Sequence, residues 1–585
     1  MKNREMIAKE GLDMSTVSKM GKPVTIAIDG LSDWRIVVEE GAIASETHAA
    51  RELQHFLREI CGAELPIVSD EQPLAEKELI VGDNRHLREL GIDLDTGRLG
   101  QDGFVLKTVG NRLVIAGGQP RGTLYGVYSL LEEELGCRWF TRTESLIPKR
   151  SSIQLPEINS ERIPRIATRT ALFMDTYDGD WAARNKINCW SPYPLEEKHG
   201  GKIAMSEHFV HTFYKLVPPE AYFEAHPEYF SLVDGTRRGS DAQLCLSHPD
   251  VFRIALEQLR RWMDEEPEAA IFGVSQNDCT GACECEQCRA LDEEEESPIG
   301  SILTFVNRLA EAIEEEYPDK RIETLAYWYS RKPPKHLKPH RNVIIRLCSM
   351  ECCFMHPLDQ CEQNDSFVQD VVGWGKICDQ VYIWDYLVDF KHYVMPYPNL
   401  RVIAPNIRFF TESNVSGIMA QGAHTSLKTE FAEMKSYLTA RLLWNPELDP
   451  QTLIQEFATH YYGAAAESIL AYIRLLEDRV DALVGYHAGC FDPPTDKYFS
   501  PELLDESERL LGHALRLADS PEIEERVRTV HMQVKYTRMM LLTEKLNQVR
   551  SDFFKEAEEL GITRVTEWKP LEESKERLET GQEPF

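Results

Sequence analysis

Residues 342–351 read NVIIRLCSME, a short apolar run that stops at serine, methionine and glutamate. A run of that length, rich in β-branched residues and bounded by polar ones, is the pattern of a strand buried on both faces, as in a parallel sheet. The pattern recurs in TRTALFMD (168–175), AAIFGVSQND (269–278), RIETLAYWY (321–329), QVYIWDY (380–386) and VSGIMAQG (415–422). Helical stretches lie between these runs. That alternation predicts an α/β protein whose centre is a (β/α)8 TIM-type barrel over residues 165–445, with weaker strands near His208–Phe213 and Gln243–Leu246 completing the count. A doubly wound sheet is the alternative arrangement of the same rhythm.

Upstream, WRIVVEE (34–40), LPIVS (65–69), ELIVGD (78–83), GFVLKTVG (103–110) and RLVIAGG (112–118) alternate with a helix from about Glu46 to Ile60. A second helix carries the apolar stripe Leu124, Val127, Leu130 and Leu131. These predict a mixed α/β domain over 24–156, behind a leader at 1–23 and before a Pro/Ser-rich link, IPKRSSIQLPEINSERIP (147–164). Downstream, strand signals fade. Ile523, Val527, Val530 and Val534 share one helical face, and residues 446–585 are expected to form a helical region packed on the barrel.

The chain of 585 residues carries 65 basic and 96 acidic residues, a net charge of −31. Such a field repels phosphate backbones and anionic lipid surfaces, which argues against nucleic acid and membrane partners. The N-terminal residues lack an apolar stretch of signal-peptide length, so a cytoplasmic protein is expected. Self-association into a homo-oligomer is left open.

In a barrel the site lies where strands end, so polar residues after apolar cores are the candidates. They are Asp175, Asn277 with Asp278, Tyr327 with Trp328, Glu351, and Trp384 with Asp385 and Tyr386. Carboxyl groups among tryptophans and tyrosines suit glycoside cleavage, because aromatic faces stack on sugar rings while two carboxyls divide acid and base duties. Asp278, Glu351 and Asp385 are the expected catalytic set. Asn277, Asp175, Tyr327, Trp328, Trp384 and Tyr386 are expected to bind substrate, with His208 and His211 from the irregular stretch 208–229. Cys283, Cys285 and Cys288 form C-x-C-x-x-C, which reads as a structural zinc site, free thiols or a local disulfide. Cys352, Cys353 and Cys361 read as buried or loop cysteines. No cofactor is required: IAGGQPRGTLYG (115–126) has neither dinucleotide-loop nor P-loop spacing.

The stretches ARELQHFLREICGAELPIV (50–68) and GQPRGTLYGVYSLLEEELGCRWF (118–140) resemble the N-terminal domain shared by family 20 hexosaminidases and family 67 α-glucuronidases. From about Phe230 to Trp444, motifs such as VSQNDCTGACECEQC, CSMECCFMHPLD, YIWDY and GIMAQGAH resemble the domain-of-unknown-function family 4838, related to glycoside hydrolase family 163. The resemblance implies a barrel and a glycosidase acting on oligosaccharides, which in the cytoplasm would be imported ones. A β-N-acetylglucosaminidase-like activity is the first expectation. An α-glucuronidase-like inverting hydrolase and a non-catalytic carbohydrate-binding protein are the alternatives.

Overall fold

The computed structural model describes residues 23–189, 195–541 and 547–585; all of the expected leader except Pro23 lies outside them. The chain divides into two compact units: the described part of Met1–Arg138 with Ile147–Ile163, and Trp139–Leu146 with Pro164–Phe585.

In the first unit, strands β1 (Val24–Ile28), β2 (Arg35–Val38), β3 (Ile67–Ser69), β4 (Glu78–Val81), β5 (Phe104–Val109), β6 (Arg112–Gly117), β7 (Ser152–Leu155) and β8 (Asn159–Arg162) alternate with helices α1 (Ala44–Cys61) and α2 (Gly122–Glu133). Six of them form one mixed sheet in the order β8-β5-β6-β4-β2-β3. The stretch expected as a link supplies two strands. β7 pairs with β1, and β8 pairs antiparallel with β5, satisfying an edge that would otherwise be bare. The glycines of IAGGQPRGTLYG serve close packing of backbone on backbone: a Cβ on Gly118 would lie 1.6 Å from the Gly100 carbonyl oxygen, and one on Gly117 would lie 2.4 Å from Gly122.

The second unit is built on β9 (Thr168–Leu172), β10 (Ile271–Gly273), β11 (Arg321–Ala326), β12 (Val343–Cys348), β13 (Val381–Tyr386) and β14 (Val415–Gln421). They form a parallel half-barrel in the order β9-β14-β13-β12-β11-β10, so the first strand sits beside the last. β12 is buried at every position, as its apolar run requires.

The two weaker strands fall elsewhere than expected. His208–Phe213 runs along β10 irregularly: the Gly273 N–H donates to the His208 carbonyl, and the Thr212 and Phe213 N–H groups both donate to the Ser275 carbonyl. Leu244 makes only an isolated antiparallel bridge, to Phe230. Between the edges β9 and β10, parallel contact is instead made by single residues. The Cys189 N–H donates to the Arg169 carbonyl, Cys189 bridges Ile203, and Met205 bridges Ile271. One-residue strands leave no periodicity to read.

Inside the sheet, Glu323 and Arg346 form a bidentate ion pair of 2.7 and 2.6 Å with both side chains buried. The guanidinium carbon lies 5.5 Å from the ring centre of Phe209 and 5.4 Å from that of Tyr382. After β14, helices α3 (Ala432–Trp444), α4 (Pro450–Tyr462), α5 (Ala466–Ala482), α6 (Pro501–Leu517), α7 (Pro521–Leu541), α8 (Asn547–Leu560) and α9 (Leu571–Glu579) follow. Val527, Val530 and Val534 are buried on α7. Between α8 and α9 the chain leaves helical geometry and is bound back to the strand-end loops. Val565 accepts from Tyr393, Glu567 donates its N–H to Phe390, and the Thr563 and Arg564 N–H groups donate to the Ser426 hydroxyl. No helix among the described residues is long and apolar enough to cross a membrane.

Candidate active site

A cavity of about 320 Å³ opens at the C-terminal ends of the parallel strands. Leu325, Cys348, Trp384, Tyr386 and Gln421 come from β11 to β14, and Tyr327, Trp328 and Met350 follow those strands directly. His211 and Asp278 close one side, and Phe390, Phe491, Glu567 and Trp568 close another. A larger open depression of about 760 Å³, lined largely by α4, shares no residue with the strand ends.

Asp278 and Glu567 are the cavity's carboxylates. The Tyr327 hydroxyl donates to Asp278 Oδ1 at 3.2 Å, and His211 Nε2 lies 4.0 Å from the same oxygen. Burial together with the charge of Asp278 pushes the Tyr327 phenol well above its ordinary pKa, so it remains a donor. Opposite, a relay fixes Glu567: Trp384 Nε1 donates to Gln421 Oε1 at 2.8 Å, and Gln421 Nε2 donates to Glu567 Oε1 at 3.1 Å. His424 Nε2 lies 3.4 Å from that oxygen. Trp328 and Trp568 are partly exposed at 38% and 48%. His211 and Trp328 hold left-handed backbones, with φ of 54° and 53°. For bulky residues such conformations cost on the order of 1–3 kcal/mol and concentrate at functional sites.

Asp278, His211, Tyr327, Trp328, Trp384 and Tyr386 thus meet in one cavity, whereas the other candidates are spent elsewhere. Glu351 bonds Arg331 at 2.6 Å, and Arg331 also holds Asp370 at 2.7 Å. Asp385 is buried, accepts from the Ser349 hydroxyl at 2.7 Å, and is pushed up to about 6 by burial. Side chains alternate along a strand, so when Trp384 and Tyr386 face the cavity Asp385 points away. Neither Glu351 nor Asp385 lines the cavity. Asn277 is taken up by Gln243, Ala242 and Tyr214. Asp175 is buried, accepts from the Arg142 N–H, and is pushed up to about 7 by burial and by Glu433. His208 stacks on Trp262 at 4.0 Å, outside the cavity. Glu567 and Trp568 were not read from the sequence, since they fall in a stretch whose neighbours are all helical.

Two cysteine-containing clusters have metal-ligand chemistry. Cys283, Cys285 and Cys288 are joined by Cys245, and Cys353 and Cys361 are joined by His356 and His487. In each, the four ligand atoms lie within 4.8 Å of one another.

The family model described as "Glycosyl hydrolase family 67 N-terminus" matches residues 31–130. No curated protein matches the chain in sequence. Among solved structures, the fold is similar to that of BtGH115A, described as a family GH115 4-O-methyl-α-glucuronidase with specificity for decorated arabinogalactans. Identity is 11%, the TM-score is 0.57, and the match covers 92% of this chain and 76% of that one. CpGH84D matches at 13% identity over 93% of this chain and 91% of that one, with a TM-score of 0.48. At 11% identity the likeness to BtGH115A concerns the fold alone. The model "Domain of unknown function (DUF4838)" matches residues 139–474, more than half of the sequence, and the chain belongs to that family.

Proposed function

We propose that the chain is a glycoside hydrolase of the β-N-acetylglucosaminidase type, acting on oligosaccharides in the cavity at the strand ends. In this reading Cys189 and the Ile203–Met205 segment are the second and third staves of a complete eight-stranded barrel. The observation that carries the activity is the lining itself: two carboxylates, three tryptophans and, among the described residues that line it, no lysine or arginine. A uronic acid would bring its own carboxylate against Asp278 and Glu567 without a cation to receive it, so a neutral sugar fits better than a glucuronide. Leu325, Cys348 and Met350 offer an apolar seat for an acetyl methyl.

Asp278 protonates the departing glycosidic oxygen, and the Tyr327 hydroxyl orients it. The substrate's acetamido oxygen attacks the anomeric carbon. Glu567 accepts the acetamido N–H, taking the role that Asn277 cannot fill with its amide engaged. Trp328 and Trp568 hold the sugar faces at the rim. The test is a panel of aryl glycosides. Release from the β-N-acetylglucosaminide that falls at least about a hundredfold in Asp278→Asn supports the reading. Release from the α-glucuronide alone overturns it, and so does a rise in melting temperature with saccharide but no product.

A further inference from the structure

We infer that the chain binds a zinc ion through four cysteines, Cys245, Cys283, Cys285 and Cys288, and that the ion locks the loop following Asp278. Three of these cysteines share one short motif, and the fourth comes from the QLCLSHPD segment. Cys245, Cys283 and Cys288 are 3%, 7% and 1% exposed. The Cys245 and Cys285 sulfurs are 3.7 Å apart. Four thiolates at about 2.3 Å from a tetrahedral zinc place their sulfurs roughly 3.8 Å apart, so the cluster needs little adjustment to close on an ion. A disulfide would engage only two of the four and would draw them to about 2.0 Å.

The surroundings suit an anionic thiolate centre. The Leu232 N–H donates to Cys283 Sγ at 3.4 Å, the Cys288 N–H donates to Cys285 Sγ at 3.5 Å, and Arg237 Nη1 lies 3.8 Å from Cys283 Sγ. N–H donors and a guanidinium stabilise metal-bound sulfur and orient it. The centre also has a structural task. Gln243 Nε2 reaches the carbonyls of Asn277, Cys279 and Thr280, and its Oε1 accepts from the Asn277 N–H. Cys245 lies two residues beyond Gln243, so the ion would fasten both ends of a stitched pair of segments. Three buried sulfurs and the half-buried one of Cys285 would repel one another as thiolates without a cation between them, and zinc supplies that charge with a binding free energy on the order of 10 kcal/mol.

From a separate arrangement we infer a second ion. Cys353 Sγ lies 3.4 Å from His356 Nδ1, and Cys361 Sγ lies 3.5 Å from His487 Nδ1. Both cysteines are buried. Two sulfurs and two imidazoles form a closed zinc-type set, which would fasten the loop after β12 to the segment leading into Phe491.

Metal analysis of the full chain, purified without chelator from zinc-supplemented cells, tests both sites independently of any glycosidase activity. Two zinc ions per chain are expected. Cys245→Ser should lose one, His487→Ala should lose the other, and Cys61→Ser should lose none. Should a variant fail to fold, the parent chain still decides: cobalt exchanged for zinc should give the intense thiolate-to-cobalt charge-transfer bands of a tetrahedral sulfur site, and the clustered thiols should resist a thiol reagent until a chelator removes the ion. Metal-free, folded parent protein whose clustered cysteines react freely, or a disulfide within Cys245, Cys283, Cys285 and Cys288 found by mass mapping, overturns the assignment.

Discussion

The interior of the parallel sheet and its mouth handle charge in opposite ways. Within the sheet, Glu323 meets Arg346 in a bidentate pair sealed from water. At the mouth, Asp278 and Glu567 face a cavity whose described lining brings only histidine and neutral donors toward them. A buried charge that is fully matched holds the strands in place. A carboxyl group left without a cation, beside a fixed phenol and aromatic walls, is free to exchange a proton with an incoming substrate.

Breaking the matched pair should have the largest effect. Arg346→Leu strands Glu323 in the sheet and should cost about 3–5 kcal/mol of stability in denaturant unfolding, whereas Glu323→Leu with Arg346→Leu should recover much of that loss. If the single and double variants are equally destabilised, the pair's role is packing and the contrast fails.

At the mouth the effect should appear in rate and not in folding. Asp278→Asn should reduce turnover at least about a hundredfold, with an unfolding midpoint close to that of the parent. The same change at Asp385 should leave turnover within a few-fold, because that carboxyl turns away from the cavity. Parental turnover in Asp278→Asn, or collapse of turnover in Asp385→Asn, would reverse the assignment.

A third variant probes a carboxyl that belongs to neither class. Asp175 is buried, and burial together with the charge of Glu433 outweighs the pull of Arg142 and pushes it up to about 7, so the folded chain holds its proton more tightly than the unfolded chain does. Between the unfolded value near 4 and about 7 the native state binds more protons, and Asp175 therefore lowers stability as pH rises through that window. Asp175→Asn should stabilise the protein by roughly 2 kcal/mol at pH 8, taking half of the full linkage at about 1.4 kcal/mol per unit, and should change little at pH 4. Thermal melts across that range read the difference directly, and equal shifts at both ends would show that Asp175 is not titrating.

The smallest expected change lies at the rim. Trp568→Ala should raise KM by roughly fivefold, about 1 kcal/mol of lost ring contact, with kcat nearly unchanged. A loss confined to kcat would place Trp568 in transition-state binding instead.

The runs at 168–172, 271–273, 321–326, 343–348, 381–386 and 415–421 were legible because a strand covered on both faces is mostly apolar, with its few polar residues paired inside, and such a run needs no knowledge of its neighbours. The same runs gave the end of the sheet at which to look, and with it Asp278, Tyr327, Trp328, Trp384 and Tyr386. The period-2 alternation that turns Asp385 away was also present in QVYIWDY, but which phase faces the cavity depends on the strands beside it. The C-x-C-x-x-C spacing placed three thiols together, whereas Cys245 joins them only because the QLCLSHPD segment folds onto the loop after Asp278. Glu567 and Trp568 carried no signal at all. They reach the cavity because the break between α8 and α9 hydrogen-bonds to Phe390, Tyr393 and Ser426. Local burial leaves a periodic trace in a sequence, but the meeting of distant loops is settled by backbone hydrogen bonds between segments whose side chains need not resemble one another, so only the tertiary structure decides it.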